Sequence, residues 1–155
     1  MVALTKAQEN KNKAFGLTVK DISKVEQSTG WRYAQHSLGG DIRFCVHKER
    51  GQYELVIWLH SDPESLISIG VWANHNKGKV QRMFHKKLGT WCPRGMTSDG
   101  YTNQGHNPER GHVGDWRTKI KARDFMRNFG AIRVMVSEIE TKLNDTGLYD
   151  ALNNL

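Results

Sequence analysis

Two carboxylates, two histidines and two dense runs of cations are the side chains in this sequence best equipped for chemistry. Asp41 and Glu54 flank and enter apolar segments that read as neighbouring strands. A hairpin between those segments would let the two acids approach, and paired carboxylates can hold a divalent cation against a phosphodiester. His106 and His112 lie in a glycine-rich stretch and are of the type that moves protons near neutral pH. The cations are Lys77, Lys79, Arg82, Lys86, Lys87 and Arg94, with no acid among them. A second run holds Arg117, Lys119, Lys121, Arg123, Arg127 and Arg133 against the single acid Asp124. The whole chain carries +7, and outside these two runs it is net acidic, so the positive charge is segregated. Segregated charge of this sign points to an anionic partner, most commonly a phosphate backbone.

Other chemistries lack support. Cys92, His106 and His112 do not have the close paired spacing of a structural zinc site, and neither CxxC nor HExxH occurs, so no metal is expected. No GxxxxGKS or GxGxxG is present, and no cofactor is expected. Cys45 stands beside Arg43 and His47 in a strand and reads as a packed thiol rather than a nucleophile. Two cysteines do not make a disulfide framework, and a reducing, cytoplasmic setting is the expectation. No segment approaches the roughly 18 apolar residues of a membrane span, and Met1 to Ala14 has no apolar core, so a soluble protein without a membrane partner is expected. Enzyme activity is not the leading expectation.

The elements that must position these residues follow from periodicity. Residues 1–16 are polar and are expected to form a flexible N-terminal segment, with 17–155 a single α+β domain. Thr18 and Asp21 have capping-box spacing, and Val19, Ile22 and Val25 give a short helix over 19–28 that Gly30 ends. Ile42, Phe44 and Val46 alternate with Arg43, Cys45 and His47, and Tyr53 to Leu59 is nearly continuous in apolar, β-branched and aromatic residues. With Leu66 to Trp72 these predict a three-stranded antiparallel meander over 41–48, 52–60 and 65–73, in which Trp58 and Trp72 are core. Val80, Met83, Phe84 and Leu88 then predict a helix over 78–89. A long Gly-rich loop at 89–115 follows, of a length that is usually functional or mobile. Ala122, Phe125, Met126 and Phe129 on one face and Lys119, Arg123 and Arg127 at i, i+4 and i+8, with Ile132, Val136, Ile139 and Leu143 nearly in phase beyond Gly130, predict either one long helix over 118–143 or two abutting helices. The tail 148–155 has room for one further turn.

The leading expectation is a nucleic-acid-binding regulatory or accessory protein that meets the phosphate backbone through basic helix faces. The residues assigned to it are Lys77, Lys79, Arg82, Lys86, Lys87, Lys119, Arg123 and Arg127, with Arg94, Tyr101 and Arg110 in the loop to stack on or pair with bases. Arg82, Lys86, Lys119, Arg123 and Arg127 are expected to share one surface. One alternative is an interaction or inhibitor module for an acidic protein. Another comes from a resemblance: the order helix, three strands, helix is similar to the start of the core of many metal-dependent nucleases. It implies a small metal-dependent nuclease using Asp41 and Glu54; separately, His106 and His112 of the Gly-rich loop are catalytic candidates for phosphodiester hydrolysis. The lysine usual two residues past the second acid is replaced by Val56, and the third strand carries no acid. The sequence carries no signal for oligomeric state.

Overall fold

Thr5 and Thr18 each open a helix by the same device. The Thr5 hydroxyl accepts from the Gln8 backbone N–H at 3.2 Å, and the Gln8 amide oxygen accepts from the Thr5 N–H at 2.9 Å. Thr18 and Asp21 repeat this reciprocal box. It satisfies N–H groups that the first turn of a helix leaves without partners. The helices are α1 (Lys6–Ala14) and α2 (Val19–Thr29), the latter ending on Gly30 in the left-handed region at φ 77°. The computed structural model describes residues 4–35, 42–49, 53–59, 62–73, 77–98 and 112–153. Helix α1 falls within the segment 1–16 expected to be flexible. Its sequence has little apolar periodicity, but the chain just beyond it buries Phe15 and Leu17, and Asn12 donates to the Tyr33 hydroxyl at 3.0 Å.

The three strands read from alternation are present as β2 (Ile42–Glu49), β3 (Tyr53–Leu59) and β4 (Leu66–Ala73). They are the middle of a larger sheet. Strand β1 (Arg32–Gln35) pairs outside β2, while β6 (His112–Lys121) and the two-residue β5 (Thr97–Ser98) extend the sheet beyond β4. The order is β1-β2-β3-β4-β6-β5, and every pairing is antiparallel. Helix α3 (Lys77–Leu88) matches its expected span closely, and α4 (Phe129–Asp145) and α5 (Leu148–Asn153) close the chain.

Alternation decides which residues meet the helices. Leu55, Ile57 and Leu59 of β3 and Ile67, Ile69 and Val71 of β4 join one core with Ile22, Val25, Phe84, Ile132, Val136, Ile139 and Leu143. All the described helices that contribute to this core therefore lie on one face of the sheet. Phe44 stacks on Phe125 at 5.0 Å between centroids, and Phe125 meets Phe129 edge-on at 5.8 Å. On the other face Val56 and Trp58 are each 2% exposed, so β3 is covered on both sides, as its unbroken apolar run requires.

The C-terminal region departs from expectation. Residues 118–143 form neither one long helix nor two abutting ones. Strand β6 runs to Lys121, Ala122–Asp124 form a 3-10 turn, and α4 begins at Phe129. Ala122 and Phe125 are buried and Met126 and Phe129 partly so. Spacings of three and four are met by consecutive tight turns as well as by an α-helix. The expected 89–115 loop is likewise shortened at both ends: 97–98 and 112–115 are strand, Met96 is buried, and residues 99–111 lie outside the described residues.

Truncation should report these placements. Ile57→Ala is expected to lower the unfolding free energy by about 2–5 kcal/mol. Thr18→Ala, which removes only a cap, should cost about 1 kcal/mol. Urea denaturation followed by tryptophan fluorescence measures both.

Candidate functional site

Strand β6 positions the second basic run, and it does so by a period of two. Trp116 is fully buried, Thr118 is 1% exposed and Ile120 packs against the core, while Arg117, Lys119 and Lys121 are exposed. The stripe of Lys119, Arg123 and Arg127 expected along a helix is therefore not formed. Lys119 is on β6, Arg123 in the 3-10 turn and Arg127 in the turn before α4, all three exposed. By register Arg117 stands opposite Ser68 and Lys121 opposite Leu66, on the face away from the helices.

Helix α3 carries the first run. Phe84 and Leu88 anchor it in the core on the helical face, and Lys79, Arg82, His85, Lys86 and Lys87 are exposed. Lys77 is its first residue. The residues expected to share one surface thus come from several elements: Arg82 and Lys86 from α3, Lys119 from β6, Arg123 from the 3-10 turn and Arg127 from the turn before α4. Arg94 is exposed beyond α3, with its backbone N–H donating to a Glu138 carboxylate oxygen at 3.0 Å. Tyr101, His106, Arg110 and Asp41 lie outside the described residues.

A built feature lies where β6 leaves β4. Between the rungs Leu66–Lys121 and Ser68–Arg117, β6 has two more residues than β4. The excess is taken up locally: the Thr118 hydroxyl accepts from the Ile120 N–H at 3.1 Å, and Lys119 stands out between Arg117 and Lys121. The turn leading into β4 is tied to the far end of β6, because the Ala122 N–H donates to the Ser65 carbonyl at 2.8 Å and the Arg123 N–H to the Pro63 carbonyl at 3.0 Å. Beside these ties opens a cleft of about 370 Å³ lined by Glu64, Ser65, Leu66 and Arg117.

One carboxylate bridges two of the cations at its rim. Glu64 Oε2 lies 2.8 Å from Lys121 Nζ and Glu64 Oε1 lies 2.5 Å from Arg123 Nη1. The hydrogen bond from Lys121 holds the Glu64 carboxyl below its ordinary value, the charges of Arg123 and Lys121 act in the same direction, and Asp62 opposes them. Arg117, Lys121 and Glu64 were missed by sequence reasoning as site residues. The signal for the first two was present, since Arg117, Lys119 and Lys121 alternate with Trp116, Thr118 and Ile120. The polar Thr118 at an inward position obscured it.

Of the expected carboxylate pair, Glu54 stands on β3 opposite Lys48, and Asp41 lies outside the described residues. Among the described residues no group of three or more His, Cys, Asp or Glu side chains is placed to hold a metal ion. His112 opens β6 opposite Trp72. Cys92 is half-buried and its thiol donates to the Met96 carbonyl at 3.2 Å. No helix among the described residues is long and apolar enough to cross a membrane.

Comparison with known protein families, with curated proteins and with solved structures gives no match.

The ion-pair bridge makes a prediction in pH. A carboxyl whose pKa is lowered on folding contributes stability above its unfolded value, and loses it as pH falls through the folded value. Glu64 is open to solvent, so the effect on global stability should be small. Carboxyl carbon NMR should find Glu64 titrating below the ordinary glutamate range, and Lys121→Met should move it back upward.

Proposed function

We propose that this protein binds nucleic acid through the phosphate backbone, as a regulatory or accessory factor, with the exposed basic row of β6 and the following turn as its principal contact. The observation that carries this reading is the run Arg117, Lys119, Lys121, Arg123 and Arg127. All five are exposed, and Arg117 and Lys121 stand by register on the sheet face that bears none of the core helices. Arg117, Lys119 and Lys121 follow one another across the bulge of β6, and set three cations along one short stretch of chain within reach of an extended ligand. Phosphate neutralisation asks only for cations within reach of the backbone and reads no sequence.

Helix α3 supplies a second basic surface through Lys79, Arg82, Lys86 and Lys87, which supports a longer ligand that wraps the sheet edge or a second, weaker contact. Bases would be read by Arg94, Tyr101 and Arg110. Both cysteines are free thiols, which fits a cytoplasmic setting. Lys119 and Lys121 have a further role that needs no ligand. Among the described residues β5 pairs with Trp116 and Arg117 of β6, and charges on the edge of β6 beyond them discourage pairing with another chain. Edge protection accounts for two lysines but not for Arg117, Arg123 and Arg127.

Fluorescence anisotropy with duplex DNA, single-stranded DNA, RNA and heparin tests the reading. Lys119→Glu with Arg127→Glu should weaken binding to every nucleic acid without unfolding the domain. The magnitude of the salt slope should fall by about 0.9 for each duplex phosphate that is no longer neutralised. Reversing Lys79, Arg82 and Lys86 on α3 should cost less. Equal affinity for all four ligands would reduce the activity to generic charge attraction. Binding to none of them, together with capture of an acidic protein, would favour the protein-interaction alternative.

A further inference from the structure

We infer that the Lys121–Glu64–Arg123 bridge is a phosphate-binding subsite whose resting occupant is the Glu64 carboxylate. The inference rests on the nucleic-acid reading for the identity of its ligand, a backbone phosphodiester, but not for its geometry. Two carboxylate oxygens are each held by a different cation, at 2.8 Å and 2.5 Å. Two non-bridging oxygens of a phosphodiester present the same pair of acceptors to the same donors, with a full negative charge shared between them.

Three features make the occupant exchangeable and the site durable. The Glu64 side chain is 48% exposed, and those of Lys121 and Arg123 are 45% and 50% exposed. A solvent-facing ion pair of this kind holds its partners weakly. The backbone beneath it is clamped, since Ala122 and Arg123 donate to the Ser65 and Pro63 carbonyls and the Ser65 N–H donates to the Asp62 carbonyl at 2.9 Å. Departure of Glu64 is therefore a side-chain rotation, and Lys121 and Arg123 remain on a fixed frame. The cleft of about 370 Å³ is lined by Glu64 itself and, among the described residues, by Arg117, a third cation. A nucleic-acid strand entering there exchanges one internal anion for one of its own. Asp62 is the nearby acid that does not bridge: its carboxylate accepts from the Glu64 backbone N–H at 2.9 Å.

Asp62 supplies the control. Glu64→Gln and Asp62→Asn each remove one negative charge from the same exposed turn, and only the first removes the internal competitor. Binding of oligo(dT) and of inorganic polyphosphate by the full-length protein should tighten about two- to fivefold in Glu64→Gln, the range set by release of a surface ion pair. It should change much less in Asp62→Asn. In the wild-type protein, saturating ligand should move the Glu64 carboxyl carbon resonance and raise its titration midpoint, as its cations turn to phosphate. Equal gains in the two variants, or a Glu64 resonance that ligand leaves in place, would overturn the subsite. If polyphosphate shows the Glu64→Gln effect while no nucleic acid binds, the subsite stands and the nucleic-acid reading fails. If oligo(dT) binds and is indifferent to Glu64→Gln, the reverse holds. If neither polyanion binds, both fail.

Discussion

Trp116 cannot be moved without undoing the rest of β6. Its ring is wholly buried, its indole N–H donates to the Trp91 carbonyl at 3.2 Å, and Trp91 meets it edge-on at 5.7 Å. A buried indole needs both the apolar contact and the hydrogen bond, and here both come from the chain that follows α3. Side chains alternate along a strand, so burying Trp116 obliges Arg117 to face the other way, and a slip of one residue would exchange the two. The direction of Arg117 depends on this one residue's environment, and beyond the bulge Lys121 is set by its own pairing with Leu66. The core on the helical face and the charged row on the opposite face are thus two consequences of one register.

That register is held at both ends. Near Trp116, α3 brings Phe84 and Leu88 into the core and leads to Trp91, over whose ring Lys142 of α4 lies at 5.3 Å. At the other end the chain leaves β6 through a 3-10 turn whose backbone bonds reach the 62–65 turn. The N-terminal segment closes over the same place. Gly16 has φ 68°, and a Cβ there would come within 3.1 Å of the Arg123 carbonyl, so both its conformation and its position favour glycine. The cations of the cleft therefore stand on a frame that α1, the sheet and the turn before β4 all help to define. Preorganised donors of this kind lose less on binding than donors on a free loop.

Strong, uninterrupted patterns were legible and locally compensated ones were not. The alternation of Ile42 and Phe44, the continuous run through β3, and the stripe of α3 each gave elements within a residue or two of their observed limits. Strand β1 is four residues long, between a helix cap and residues outside the described set, too short to establish a period. Strand β6 was hidden by Thr118, a polar residue turned inward and satisfied by the backbone two residues on, while its lysines happened to continue a spacing of four into the next turn. The basic character of the site was legible from charge segregation alone, but its shape was not. Glu64 lies far from the cations in sequence, and nothing local marks it as their partner.

Whether a nucleic acid lies along the outward row of β6 can be asked directly by lysine acetylation footprinting, read by mass spectrometry with and without a saturating oligonucleotide. Lys119 and Lys121 are compared with Lys20 and Lys24, which are also exposed but stand on α2. Strong protection of Lys119 and Lys121, and none of Lys20 and Lys24, is the expected result. Protection spread evenly over all four, or confined to α2, would contradict that placement.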